Sequence, residues 1–81
     1  MIMSEKTTEI MVDLKGEEGP VPAERISQAI EQIELDQILT ARATDPGVMM
    51  DIPVWCAATG NELLSMEEEN GIFTFKVKKL E

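Results

Sequence analysis

Histidine is absent from the chain and cysteine occurs once, as Cys56. Without histidine the commonest general base near neutral pH and the commonest metal ligand are both missing. A Ser-His-Asp or Cys-His arrangement within the chain is excluded. A zinc site would have to be built almost entirely from carboxylates, a poor donor set for that ion, so no metal or other cofactor is expected. One cysteine allows no internal disulfide. Long apolar runs are missing as well: nothing approaches the roughly 18 apolar residues of a membrane span. The opening Met1-Ile2-Met3-Ser4-Glu5-Lys6 has no apolar signal core. A cytoplasmic protein with no membrane contact is therefore expected. Cations are scarce, with seven Lys and Arg against 16 Asp and Glu and a net charge of −9. Phosphate backbones and anionic membrane surfaces bind proteins mainly through Lys and Arg, so nucleic acid is not an expected partner. Lys76, Lys78 and Lys79 gather near the C-terminus and read as solvated ends of a last strand, the alternative being a local contact for an acidic partner.

What is present fits one domain over residues 1–81, with 1–7 as a flexible lead and Leu80-Glu81 read as a tag remnant and given no weight. From Thr8 to Lys15 apolar and polar residues alternate, with Ile10, Val12 and Leu14 on one face, which predicts a strand. Prolines and glycines between Gly16 and Pro22 mark a loop. A helix over Pro22–Leu35 follows, with Ile26, Ala29, Ile30 and Ile33 as its apolar stripe and proline in its first turn. Gln37–Thr44 alternates again, and Asp45-Pro46-Gly47 stops it. A second helix over Asp51–Thr59 carries Ile52, Trp55, Cys56 and Thr59 at helical spacing, with Asp51 as N-cap, Pro53 in the first turn and Gly60 as the stop. Strands over Glu62–Glu68 and Ile72–Lys78 flank Asn70-Gly71, a strong hairpin signal, and Phe73, Phe75 and Val77 face inward. The order β-α-β-α-β-β with one wet sheet face predicts an α/β two-layer sandwich: two helices on one face of a four-stranded mixed sheet.

Four places could carry chemistry. Glu17-Glu18-Gly19-Pro20-Val21-Pro22 leads into a helix N-terminus, where unpaired N–H groups and the helix dipole favour an anion or thiolate. This loop supplies no nucleophile, and taken alone it reads as a rigid helix entry. Cys56 lies on an apolar stripe without nearby Lys or Arg, the setting of a core cysteine rather than a reactive thiol. Asp45-Pro46-Gly47 is a strand-stopping turn or a binding loop, and turn chemistry explains it. Glu67-Glu68-Glu69 is a solvated hairpin tip or a weak cation contact.

Taken together, these landmarks resemble the TusA/SirA/YedF family of sulfur-carrier proteins from Val12 to Lys79. Val12-Asp13-Leu14-Lys15-Gly16 is similar to the family's opening Leu-Asp-x-Arg-Gly, and Asp45-Pro46 to its Asp-Pro after the second strand. Asp51-Ile52-Pro53-Val54-Trp55-Cys56, followed by Thr59-Gly60-Asn61-Glu62-Leu63, resembles its Asp-Ile-Pro-x-Trp/Phe-Cys and Gly-His-Glu-Leu stretches. Gly19-Pro20-Val21-Pro22 falls where the family carries Cys-Pro-x-Pro. The resemblance implies a two-layer α/β sandwich and a persulfide carried on the signature cysteine and passed between partner proteins. It makes Gly19, Pro20, Val21 and Pro22 the binding segment, and sulfur-relay proteins the partners. The chain departs from it at Gly19, which bears no sulfur, and at Asn61, which stands where the family has histidine. Cys56 matches a cysteine seen in family members, for which a packing role is inferred. No catalytic residue is thus assigned. Three functions stay open: an accessory, noncatalytic family member in sulfur trafficking, an active persulfide carrier using Cys56, and an interaction domain unrelated to sulfur.

Overall fold

The computed structural model describes residues 10–81. The expected lead 1–7, with Thr8 and Glu9 of the expected first strand, lies outside the described residues. The elements run β1 Ile10–Leu14, α1 Val21–Ile30, β2 Ile38–Ala43, α2 Val48–Thr59, β3 Glu62–Glu69 and β4 Ile72–Lys78. They build one four-stranded mixed sheet in the order β1-β2-β4-β3. β1 and β2 are parallel and joined through α1, while β4 pairs antiparallel with both β2 and β3. β4 therefore sits between the parallel strands β2 and β3, which α2 connects.

Register explains which residues become core. Leu14 stands opposite Ala43, Ala41 opposite Phe75 and Leu39 opposite Val77, so the alternating apolar positions of three strands share one face. Ile26 and Ile30 of α1 and Val48, Ile52 and Cys56 of α2 cover that face, giving the two-layer sandwich that the patterning predicts. The wet face carries Asp13, Arg42, Thr74 and Lys76. At the hairpin, Asn70 and Gly71 take φ values of 55° and 81°, the two positive angles of a tight primed turn. Glu68 Oε2 accepts the Gly71 N–H at 2.8 Å and braces this tip. β3 holds one irregularity, a bulge between Leu63 and Ser65; Leu64 and Met66 are exposed, while Leu63, opposite Val77, packs against the core.

Two element boundaries differ from the pattern. The stripe predicts α1 to Leu35, but the helix ends at Ile30. Gln32 N–H donates to the Ala29 carbonyl at 3.0 Å and Ile33 N–H to Ile30 at 3.5 Å, tighter turns that unwind the helix. Lys79 then competes for what remains: its ammonium donates to the Ile33 carbonyl at 2.7 Å, and its own carbonyl accepts the Asp36 N–H at 2.7 Å. Ile33 stays in the core without being helical. The second correction is at α2, which starts at Val48 rather than with Asp51 as N-cap. Gly47 is the N-cap, and Asp45 braces the turn before it, its Oδ1 accepting the Gly47 N–H at 3.1 Å and its carbonyl the Val48 N–H at 3.1 Å. Pro53 consequently lies inside the helix and forfeits one intrahelical bond. Among the described residues no helix is long and apolar enough to cross a membrane.

Candidate functional site

The loop between β1 and α1 is tied to the far end of β2. Gly16 N–H donates to Thr44 Oγ1 at 2.9 Å, and Gly19 N–H donates to Asp45 Oδ2 at 3.0 Å. Asp45 thus uses one oxygen to start α2 and the other to hold the approach to α1. These residues, with Glu17, Glu18 and Pro46, border a shallow hollow of about 300 Å³. Pro20 is the N-cap of α1 and Pro22 is buried in its first turn.

Position 19 is constrained by backbone rather than by space. Gly19 has φ of 65°, a left-handed conformation that side chains disfavour, yet a Cβ built there meets nothing within 4 Å. Two of the donors around it are engaged. Pro20 and Pro22 have no N–H, Val21 N–H donates to the Glu18 carbonyl at 3.3 Å, and Gly19 N–H goes to Asp45. The nearby charge is negative as well, from Glu17, Glu18 and Asp45. Arg25 Nη1 pairs with Glu17 Oε2 at 3.0 Å. As it stands, this helix start already holds one carboxylate of its own, that of Asp45, against the Gly19 N–H.

Cys56 is not brought to this loop. It lies eight residues beyond the first residue of α2, which is about 12 Å of helical rise. The residue is 3% exposed, among the core side chains. Burial in apolar surroundings pushes its thiol up to about 11. Asn61 is engaged elsewhere. Its Nδ2 donates to Thr59 Oγ1 at 3.1 Å, and its Oδ1 accepts the N–H groups of Leu80 at 2.9 Å and Glu81 at 3.2 Å. It clasps the C-terminal segment. Lys76 and Lys78 pair in register with Thr40 and Ile38, at the opposite end of β2 from Thr44 and Asp45.

A second concavity, of about 630 Å³, opens between α1 and α2 beside this loop. Pro20, Ala23 and Ser27 form one wall, and Met50, Val54 and Trp55 the other. Trp55 Nε1–H donates to Ser27 Oγ at 2.6 Å, which pins the indole across the two helices. Met50 and Val54 are 72% and 62% exposed. Spacing singles out Trp55 for the core stripe with Ile52 and Cys56, and the structure places it half-buried at the rim. Met50 and Val54 lie off that stripe and were not candidates by spacing. The available signal was that α2 is apolar nearly all round, more than one buried face requires.

The family model described as "Sulfurtransferase TusA" matches residues 10–79. The chain is 37% identical over 68 residues to the sulfur carrier protein TusA of Allochromatium vinosum, covering 84% of this chain and 90% of that protein. It is 31% identical over 77 residues to the sulfur carrier protein TusA of Pseudomonas putida, covering 95% and 96%. In fold it is similar to the crystal structure of a SirA-like protein from Desulfitobacterium hafniense. The TM-score is 0.76 at 19% identity, over 89% of this chain and 99% of that one.

Proposed function

This chain belongs to the TusA sulfurtransferase family, and from that premise we propose that it is a member without the carrier thiol, acting as an accessory protein-binding module in sulfur trafficking. The observation that carries the reading is the loop at the start of α1. A carrier must present a thiolate, and a thiol ionises near neutral pH only beside a cation, a free helix N-terminus or a metal. Here position 19 is glycine, its N–H is bonded to Asp45, and Glu17 and Glu18 flank it. Cys56 offers no substitute, because a thiol titrating at about 11 is almost wholly protonated at neutral pH. The partners on this reading are the proteins of a sulfur relay in the cytoplasm, met through the surface around Gly19, Pro20, Val21 and Pro22.

Incubation with a cysteine desulfurase and cysteine, followed by intact-protein mass spectrometry, tests this. The wild-type chain should gain no stable sulfur adduct; high occupancy of a persulfide on Cys56 would overturn the reading. Gly19→Cys should accept sulfur in part. Space exists for the side chain, but the left-handed backbone costs about 1–2 kcal/mol, and three neighbouring carboxylates oppose a thiolate.

A further inference from the structure

α2 is apolar on more of its surface than the core uses. Val48, Ile52 and Cys56 face the sheet, while Met50 and Val54 point away from it, exposed, over the groove shared with α1. A helix that is apolar all round belongs in an interior, and here nothing within the described chain covers the second face. The groove wall is also preorganised. The Trp55–Ser27 hydrogen bond holds the one large aromatic surface in place, so an arriving partner need not order it.

Charge identifies the occupant. Glu24 and Asp51 line the groove itself, and Glu17, Glu18 and Asp45 border the adjoining hollow. Neither lining includes a cation, and Arg25, next to Glu24 in sequence, already pairs with Glu17. A second copy would set this acidic rim against its own equivalent on a chain of net charge −9, and an anionic membrane would be repelled. A basic partner meets the rim with opposite charge and fills the floor with an apolar side chain.

We propose that the α1–α2 groove docks a segment of a partner protein that presents a large apolar side chain flanked by Lys or Arg. This rests on the reading of the chain as a protein-binding module and adds where the partner sits and what chemistry it brings. The apolar anchor packs on Met50, Val54 and Trp55, and the flanking cations face Glu24 and Asp51.

Trp55 is the single tryptophan and lies in the groove, so its fluorescence reports occupancy directly. The probe is a short synthetic peptide with adjacent Leu and Phe between pairs of lysines, titrated alongside the same peptide carrying glutamates. The lysine peptide should shift Trp55 emission and move amide resonances of residues 20–27 and 50–55, weakening with salt; the glutamate peptide should do neither. Val54→Asp separates docking from bulk attraction. It adds a negative charge, so simple electrostatic association would tighten, whereas loss of the apolar floor should weaken binding about tenfold. Val54 is exposed, so the fold tolerates the change, and Met50→Asp should act likewise. Glu24→Gln with Asp51→Asn should weaken binding severalfold. The proposal is overturned by an unchanged or tighter Val54→Asp complex, by resonance shifts confined to the open sheet face, by absence of binding at millimolar peptide, or by concentration-dependent dimerisation that buries the groove. None of these readouts involves thiol chemistry. A persulfide on Cys56 with intact peptide binding sinks the functional reading alone, and failed docking without a persulfide sinks this inference alone.

Discussion

A thiol in a protein is either a small apolar group or a nucleophile, and ionisation decides between them. At Cys56 the apolar role wins. Its sulfur lies beneath α2 among Ile52 and the sheet residues, where a thiolate would lose its water without gaining a cation. Cys56→Ala should cost about 1–2 kcal/mol at neutral pH, the loss of a small buried group. The pH dependence adds a sharper check. The unfolded chain releases this proton near the ordinary 9.0, and the folded chain at about 11. Between those values the native state holds more protons than the unfolded one, so stability falls as pH rises through the window. The slope is at most about 1.4 kcal/mol per pH unit. Below the window this group contributes no slope. In urea unfolding the difference between wild type and Cys56→Ala should stay constant up to about pH 8.5 and shrink above it. A difference that persists to pH 10.5 would show that the thiol is not held protonated by burial. Rapid native labelling by a thiol reagent would show the same.

Between elements, one side chain joins three of them. Asp45 ends the region of β2, launches α2 through Gly47, and holds the start of α1 through Gly19. Asp45→Ala should remove both bonds and cost about 1–2 kcal/mol, the loss of two hydrogen bonds to a carboxylate. Hydrogen exchange at Gly19 and Gly47 should accelerate, while Ile26 to Ile30 keep their protection. Unchanged exchange at Gly19 would mean that the loop is held by something other than this carboxylate. Much at this scale was legible in the sequence. Alternation in Val12–Leu14, Leu39–Ala43 and Phe73–Val77 specified the strands and their inner faces, and Asn70-Gly71 specified the hairpin. Of the missed boundaries, one was decided by a partner remote in sequence and one by a local turn. The end of α1 depends on Lys79, which arrives from the last strand, and the stripe through Ile33 gives no hint of it. The start of α2 lies at the Asp45-Pro46-Gly47 turn, which the pattern reads as the stop of β2 rather than as the entry to the helix, making Asp51 the expected cap. The candidate site was half legible. Gly19-Pro20-Val21-Pro22 stood out as a helix start, but its tie to Asp45 needed the fold. The groove escaped notice because Met50 falls before the expected helix start and Val54 off its apolar stripe, and only the fold shows that the sheet leaves them uncovered.

Across the whole molecule the dominant electrostatic fact is the imbalance of 16 acidic against seven basic residues. In water, self-repulsion on this scale opposes the compact state, because unfolding moves like charges apart. Favourable pairs exist but are weak. Arg25 and Glu17 are 43% and 37% exposed, and an exposed pair contributes about 0–1 kcal/mol. Added salt screens both kinds of interaction, with a Debye length near 10 Å at 0.1 M falling to about 4–5 Å at 0.5 M. The pair at 3.0 Å sits inside even the shorter length. Repulsion among carboxylates spread over the surface acts over longer distances and is screened first. Raising NaCl from about 20 mM to 500 mM should therefore raise the urea midpoint without changing the slope of the transition. The same salt should weaken any cationic peptide in the α1–α2 groove, so ionic strength should move stability and binding in opposite directions. A midpoint that falls with salt would mean that close ion pairs, rather than net repulsion, govern the balance.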